Sequence, residues 1–152
     1  MGSLAINKRA RFDYELLEHY EGGLALTGAE VKAIKKGSAD MKGAFLSIEN
    51  KELWIKNLYI GKYAPAGPQP DYKEKRNRKV LVHRKEINTL IGKKQAQGLT
   101  IVPIRVYTKG NLVKLEFATA RGKRKYEKRD SIKKRDLDRQ AREEMKKTRF
   151  GD

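Results

Sequence analysis

The alternation of apolar and polar residues in NLVKLEFATA (111–120) restricts the possible folds of this chain more than any other feature. Val113, Leu115 and Phe117 fall on one side of an extended strand, and Lys114 and Glu116 fall on the other. A strand with one buried face and one solvated face is typical of an antiparallel sheet. The segment therefore predicts a strand that packs on a core along one face only.

Three other segments extend the β pattern. IVPIRVY (101–107) precedes this strand and predicts a hairpin with it. AFLSIENKELWIKNLYI (44–60) consists of two alternating runs around a polar turn, which predicts a second hairpin. FDYELLEHYEGGLAL (12–26) predicts a further strand, and we expect that strand to break at Gly22 and Gly23.

Two segments have helical signals at both ends. In TGAEVKAIKKG (27–37), Thr27 and Glu30 have the spacing of a capping box, in which each side chain binds an otherwise unpaired backbone N–H group. HRKEINTLIGKKQAQG (83–98) has apolar residues at helical spacing and a terminating Gly98. We therefore predict one short helix and one longer helix, each between β segments.

The order strand, helix, hairpin, helix, hairpin lacks the alternation of a parallel sheet. Residues 61–79 hold three of the four prolines and no periodicity, which predicts an exposed loop. Five or six short antiparallel strands suit a small closed or partly open barrel with helices at its ends, as in oligonucleotide-binding (OB) folds. The predicted fold class is thus mainly β.

The net charge of +17 indicates a polyanionic partner. Residues 121–149 contribute 14 Lys and Arg against six Asp and Glu, directly after the last predicted strand. This contrast predicts a globular domain over 1–120 and a separate basic tail over 121–152. A nucleic acid is favoured over a membrane, because no apolar run approaches the roughly 20 residues of a spanning helix and no signal-peptide pattern is present. The absence of cysteine fits a cytoplasmic protein.

The sequence offers little for catalysis. His19 and His83 are its only histidines, and no metal-ligand spacing or phosphate-binding glycine loop occurs. We therefore expect no enzyme, no cofactor and no metal, with a metal-dependent nuclease built from dispersed carboxylates as the alternative. Basic runs at 7–11, 73–79 and 121–125 have aromatic residues beside them, a combination that suits RNA.

Four segments in order carry a resemblance to a known family. They are NKRARFDY (7–14), YEGGLALTGAEVKAI (20–34), RNRKVLVHRKEI (76–87) and RGKRKYEKR (121–129). Together they resemble the small protein B family, the partners of transfer-messenger RNA in bacterial ribosome rescue. The resemblance implies a closed six-stranded antiparallel barrel related to the OB fold, with flanking helices.

The resemblance also implies a function. Members of the family bind the tRNA-like domain of transfer-messenger RNA and deliver it to stalled ribosomes, with elongation factor Tu and GTP as indirect partners. The basic tail is expected to be disordered when free and to form a helix against small-subunit ribosomal RNA, in the decoding centre and the empty messenger channel. The protein is expected to act as a monomeric adaptor in the cytoplasm. A structural protein of the ribosome, or an assembly protein using the same barrel and tail, is the other alternative.

The resemblance carries over to individual positions. The residues expected to bind RNA are Asn7, Lys8, Arg9, Glu21, Lys32, Arg78, Lys79, Leu81, His83, Arg121, Lys123 and Arg124. The residues expected to contact the decoding centre are Lys125, Tyr126, Glu127, Lys128 and Arg129.

Overall fold

The computed structural model describes residues 3–123 and residue 139. The described strands are β1 (Ser3–Ile6), β2 (Tyr14–Leu24), β3 (Ala39–Asp40), β4 (Phe45–Glu49), β5 (Glu52–Lys56), β6 (Tyr59–Ile60), β7 (Arg78–Leu81), β8 (Thr100–Lys109) and β9 (Leu112–Gly122). The helices are α1 (Ala10–Asp13), α2 (Gly28–Lys35) and α3 (Arg84–Gln97), with a 3₁₀ turn at Ala64–Ala66.

Seven strands form one antiparallel sheet in the order β1-β8-β9-β2-β7-β5-β4, and β3 and β6 form a separate two-stranded sheet. Both predicted hairpins, β4–β5 and β8–β9, are confirmed. Val113, Leu115 and Phe117 of β9 are buried, as their alternation predicted. The mainly β, antiparallel class is therefore confirmed, with strand β9 reaching two residues beyond the predicted domain boundary at 120.

The expectation of a closed six-stranded barrel is wrong. The sheet has seven strands, and among the described residues no ladder joins its edge strands β1 and β4. Closure needs a continuous ladder between the two edges. These edges have only four and five residues, and the β2–β7 ladder in the middle of the sheet spans only two residue pairs. The hydrogen-bonded sheet is therefore open, and a relation to the OB fold stays a prediction.

Strand β2 does not break at its two glycines, contrary to the sequence-based expectation, but continues to Leu24. A Cβ atom on Gly22 would lie 2.6 Å from Cγ1 of Val80 and 3.0 Å from Cγ1 of Val82. Glycine at this position thus lets β7 approach β2 closely. At Gly23, strand β2 pairs with β7 on one side and with β9 on the other.

The core lies between one face of the sheet and the helices. Phe117 of β9 stacks on Tyr20 of β2 with ring centroids 5.6 Å apart. Residues of α2 and α3 pack in the same cluster, including the buried Ile34 and Leu90. A smaller cluster on α1, β8 and β9 contains Ala10, Val102 and Ala120.

The predicted helix signals are confirmed. The Thr27 hydroxyl accepts a hydrogen bond from the Glu30 backbone N–H at 3.2 Å, and Glu30 Oε1 accepts one from the Thr27 backbone N–H at 2.9 Å. Helix α3 ends at Gly98, which adopts the left-handed conformation with φ of 64°. His83 is the N-cap residue of α3 and makes no side-chain cap hydrogen bond.

Candidate nucleic-acid interface

The face of the sheet turned away from the core gathers charged residues from four strands. On β9, Lys114 and Glu116 alternate with the buried apolar residues and so point outward. Residues with the same alternation on β2, β7 and β8 lie beside them. We call this surface the sheet face; it consists of His19, Glu21, Gly23, Lys79, Leu81, Arg105, Tyr107, Lys109, Lys114 and Glu116.

Glu21 lies among hydrogen-bond donors on the sheet face. The Tyr107 hydroxyl donates a hydrogen bond to Glu21 Oε2. The amino groups of Lys109 and Lys114 lie 3.5 and 4.0 Å from Oε1. The Tyr107 hydrogen bond, together with these two cations, holds the pKa of Glu21 below its usual range. Glu21 is therefore an ionised acceptor, and its side chain remains 38% exposed.

A second carboxylate, Glu116, lies opposite Glu21 in the β2–β9 ladder. Arg105 Nε lies 2.7 Å from one Glu116 oxygen, and His19 Nδ1 lies 2.9 Å from the other. Burial raises the pKa of Glu116, but the hydrogen bonds from Arg105 and His19 outweigh this effect and lower it overall. The Arg105 guanidinium also lies 4.3 Å from the centre of the Tyr107 ring, so the two carboxylate clusters are in contact.

The sheet face also contains an apolar position. Leu81 of β7 is 52% exposed although it lies in a strand. It lies across from Gly23, where an added Cβ would be 3.7 Å from Leu81 Cβ and 4.0 Å from Lys114 Nζ. The glycine leaves a shallow depression between an exposed leucine and a lysine. The structure thus brings Glu21 and Leu81 onto one surface, although they were predicted from separate segments. His83, two residues after Leu81, is also exposed.

The predicted residues near the N-terminus lie at the α1 end of the molecule. Asn7 donates from Nδ2 to the Pro103 carbonyl and from its backbone N–H to the Ile104 carbonyl, both at 2.8 Å. Its amide therefore fixes the connection from β1 to α1 against β8. Arg9 pairs with Asp13 at 3.2 Å, and Lys8 is exposed.

The junction with the basic tail lies at the same end. The Lys123 backbone N–H donates to the Asp13 carbonyl and its amino group donates to the Arg11 carbonyl, both at 2.9 Å. Arg121 pairs with Glu15. Folding thus collects the basic runs at 7–11 and 121–123 into one surface, which we call the α1 corner. Six predicted residues lie outside the described part of the chain: Arg124, Lys125, Tyr126, Glu127, Lys128 and Arg129. The predictions that the tail is disordered when free and helical on the ribosome also concern residues outside the described part.

Arg78, predicted to bind RNA, is instead completely buried. Its guanidinium donates to Glu30 Oε2 at 2.7 Å and to the Leu58 carbonyl at 2.6 Å. We therefore withdraw it from the interface, because its charge is needed to neutralise the buried Glu30. Lys79 lies on the sheet face, 3.2 Å from Glu52. Lys32 is exposed on α2 and lies 5.7 Å from the Tyr63 ring centre.

The buried Glu30 has further partners from the predicted loop. Arg76 donates hydrogen bonds to its carboxylate, and the Tyr72 hydroxyl donates to Oε2 at 3.2 Å. Burial raises the pKa of Glu30, but the bonds from Arg76, the Thr27 backbone and Arg78 together lower it to about 2. We call Glu30, Tyr72, Arg76 and Arg78 the Glu30 cluster. It ties the loop before β7 to the start of α2.

The sequence reasoning missed several residues of the sheet face. It placed Lys114 and Glu116 on the side of the strand opposite the core but did not assign them to the site, and it assigned neither His19 nor the β8 members. The alternation in β8 and β9 was the available signal, since it marks every second residue as outward. The missed residues are His19, Arg105, Tyr107, Lys109, Lys114 and Glu116.

The described residues offer neither a metal site nor a membrane-spanning helix. They contain no group of three or more His, Cys, Asp or Glu side chains arranged to hold a metal ion. No helix in the described part of the chain is long and apolar enough to cross a membrane.

Comparison with known proteins supplies the family. The model of the SmpB protein family matches residues 4–147. The chain belongs to the SmpB protein family. The SsrA-binding protein of Sulfurihydrogenibium sp. (strain YO3AOP1) is 47% identical over 146 residues, covering 94% of this chain and 93% of that protein. The SsrA-binding protein of Thermosipho africanus (strain TCF52B) is 45% identical over 150 residues, covering 98% and 100%.

A solved structure agrees with this assignment. A chain described under "tmRNA-SmpB: a journey to the center of the bacterial ribosome" is 40% identical, with a TM-score of 0.63. The match covers 84% of this chain and 92% of that one. The resemblance to small protein B drawn from the four sequence segments is therefore confirmed.

Proposed function

We propose that this SmpB family member binds transfer-messenger RNA through its sheet face and works with that RNA on the ribosome in trans-translation. The curated relatives are SsrA-binding proteins, and the structural neighbour is described with transfer-messenger RNA and the bacterial ribosome. The observation that carries the proposal is the meeting of Glu21, Gly23, Leu81 and Lys114 from three strands on one exposed surface.

The chemistry of this surface suits a folded RNA loop. Lys109 and Lys114 supply charge for phosphates, and Leu81 supplies an apolar contact for a ribose or a base. Glu21 is ionised, so it repels phosphate and accepts hydrogen bonds from base N–H groups or a ribose 2′-hydroxyl. This carboxylate therefore fixes the position of the RNA on the basic surface, because only a hydrogen-bond donor of the RNA is tolerated beside Glu21.

The remaining parts of the proposal follow from the family. The target on the RNA is its tRNA-like domain, which Arg124 also binds, and residues from Lys125 to Arg129 contact small-subunit ribosomal RNA at the decoding centre. Lys8, Arg9, Arg121 and Lys123 at the α1 corner bind phosphates near that junction, and Lys79, His83 and Lys32 provide further RNA contacts.

The protein is an adaptor with no covalent chemistry of its own. It acts as a monomer in the cytoplasm, where ribosomes are, and elongation factor Tu with GTP takes part indirectly. The sheet face serves as a binding platform like that of an OB fold. The basic tail is disordered when free and folds on the ribosome.

The test is binding to the tRNA-like domain of transfer-messenger RNA. Glu21→Gln keeps the size of the side chain and removes its charge, and we expect affinity to fall about tenfold, as for a charge-assisted hydrogen bond of roughly 1.5–3 kcal/mol. Glu49→Gln is the matched control, because Glu49 is an exposed acid at the end of β4 that pairs with Lys56. Equal affinities of the two variants would rule out Glu21 as a recognition residue.

A second pair of measurements addresses the alternatives. A structural ribosomal or assembly protein would co-purify with ribosomal subunits in a fixed ratio, whether or not the ribosomes are stalled. A nuclease would cleave RNA when a divalent cation is added. Recovery of transfer-messenger RNA with the protein, without cleavage, supports the adaptor.

A further inference from the structure

A second concave surface lies away from the sheet face, on elements that surround β6. Two cavities of about 400 and 410 Å³ share Tyr59 and Lys75 as wall residues. Lys42 lines the first cavity and Lys73 lines the second. We call Lys42, Tyr59, Lys73 and Lys75 the Tyr59 groove; it has no residue in common with the sheet face.

The lysines of the Tyr59 groove differ from those of the sheet face in their pairing. On the sheet face, Lys109 and Lys114 lie near Glu21. In the described part of the chain, no ion pair within 4.0 Å joins a carboxylate to Lys42, Lys73 or Lys75. Because these three lysines have no ion-pair partner among the described residues, they are available to an external anion.

Two acidic residues in the groove walls offset only part of the charge of the three lysines. Asp40 and Glu74 also line the cavities, and the Asp40 carboxylate accepts a hydrogen bond from the Lys42 backbone N–H at 2.9 Å. Helix α2 ends at Lys35, two residues before the groove residue Gly37, with Lys32 and Lys35 in its last turn and Lys36 as its C-cap. The groove and its rim are therefore basic.

An aromatic ring stands between the two cavities on a rigid support. Tyr59 is 38% exposed, although the next residue, Ile60, is completely buried. The Ile60 backbone N–H donates to the Glu74 carbonyl at 3.0 Å, and the Ile60 carbonyl accepts from the Tyr72 hydroxyl at 2.8 Å. Since Tyr72 also belongs to the Glu30 cluster, the walls on both sides of the ring are held in place before any ligand arrives.

We propose that the Tyr59 groove is a second RNA-binding surface, which takes a single-stranded segment with one base stacked on Tyr59 and its phosphates paired with Lys42, Lys73 and Lys75. Stacking platforms flanked by cations are the usual means of holding unpaired nucleotides. A lipid surface is the poorer fit, because the ring lies in a concavity and a bilayer needs a protruding one. The inference rests on the proposed function only in taking RNA as the polyanion.

The experiment measures binding of a fluorescent, single-stranded RNA octamer to the full chain as a function of salt. Lys73→Gln/Lys75→Gln removes two groove charges, and we expect the log–log salt slope to fall by roughly 1.4, or about 0.7 for each phosphate contact. Lys85→Gln/Lys94→Gln removes the same charge from exposed positions of α3 and is the matched control. Equal losses in the two variants would show a net-charge effect only and would overturn the proposal.

The ring is tested separately. Tyr59→Leu should weaken octamer binding roughly tenfold, since stacking on one aromatic residue is worth about 1–3 kcal/mol per base. Tyr59→Phe keeps the ring and should retain wild-type affinity. Wild-type octamer affinity in Tyr59→Leu would overturn the inference. Binding of the Lys73→Gln/Lys75→Gln variant to phosphatidylserine vesicles tests the lipid alternative. If that variant loses vesicle binding but keeps RNA binding, the inference is also overturned.

The two proposals fail separately. The octamer has no folded loop and reports on the groove, whereas the tRNA-like domain with Glu21→Gln reports on the sheet face. Failure of the groove variants leaves the Glu21 result standing, and failure of Glu21→Gln leaves the octamer result standing.

Discussion

Glu21 and Glu30 have similar hydrogen-bonding partners, but Glu21 is proposed to bind RNA and Glu30 stabilises the fold. Each accepts a hydrogen bond from a tyrosine hydroxyl and lies near two cations. The cations of Glu21 are lysines at 3.5 and 4.0 Å, and its side chain is 38% exposed. The cations of Glu30 are the arginines of the Glu30 cluster, and its side chain is 1% exposed.

The difference explains why Glu21, and not Glu30, is proposed as a binding residue. Planar guanidinium groups hold a carboxylate in a fixed geometry, whereas a lysine is a flexible point charge that is easily exchanged for another partner. Glu30 has no access to a ligand. Glu21 keeps its charge and its exposure, and its two lysine neighbours are 3.5 and 4.0 Å away, so under the proposed function an incoming RNA replaces these lysines. Three changes to the chain test this contrast.

The largest effect is expected at Glu30. Replacing it by Gln leaves the buried Arg78 without its counter-charge, and breaking a buried pair from one side costs about 3–5 kcal/mol of unfolding free energy. Urea denaturation measures the loss. Glu49→Gln, at the exposed end of β4, should cost less than about 0.5 kcal/mol.

The pH dependence of stability provides a second readout for Glu30. Its pKa is lowered in the folded state to about 2, so its contribution is fully present above the unfolded pKa of about 4.3 and is lost as pH falls through about 2. Wild type should therefore lose this part of its stability at low pH, and Glu30→Gln should lack that component. If Glu30→Gln loses stability at low pH in the same way as wild type, the structural role of Glu30 is contradicted.

An intermediate effect is expected at Gly22, on the strand that carries Glu21. Gly22→Ala places a methyl group 2.6 Å from Val80 Cγ1, so β2 and β7 must separate, at a cost of about 1–3 kcal/mol in thermal or urea unfolding. Gly28→Ala is the matched control, because nothing lies within 4 Å of its added Cβ and alanine favours the helix. If both variants unfold alike, the close approach of β7 does not depend on Gly22.

The smallest effect on stability is expected at Tyr107. Tyr107→Phe removes the hydrogen bond to Glu21, and the pKa of Glu21 should rise toward its ordinary value. An NMR titration of the Glu21 carboxyl carbon measures this shift, and RNA affinity should decrease modestly through the looser carboxylate. An unchanged titration would show that the lysines alone set the charge of Glu21.

The same contrast explains how much the sequence reveals. Local signals were sufficient for the β8–β9 hairpin and for the capping box of Thr27 and Glu30, because each depends on residues only a few positions apart. The further role of Glu30 depends on Arg76 and Arg78, which are 46 and 48 positions away. Read from the sequence, both arginines belonged to an exposed basic run.

The two errors of fold have a similar origin. The pair Gly22-Gly23 is a common sign of a turn, and only the opposing Val80 explains why glycine stands inside a strand there. The resemblance implied a closed barrel, but closure depends on ladders between strands that are distant in sequence. Alternation reports which face of a strand is buried and says nothing about which strand lies beside it.

The hydrogen bond from the Lys123 backbone to Asp13 fixes the place from which the rest of the chain departs. The 29 residues that follow Lys123 are a polypeptide of known maximum length, about 100 Å at roughly 3.5 Å per residue. Under the proposed function, RNA lies on the sheet face, and any partner of these 29 residues lies within that distance of Lys123. The proposal therefore predicts that the folded domain limits the distance between the bound RNA and the partner of these residues.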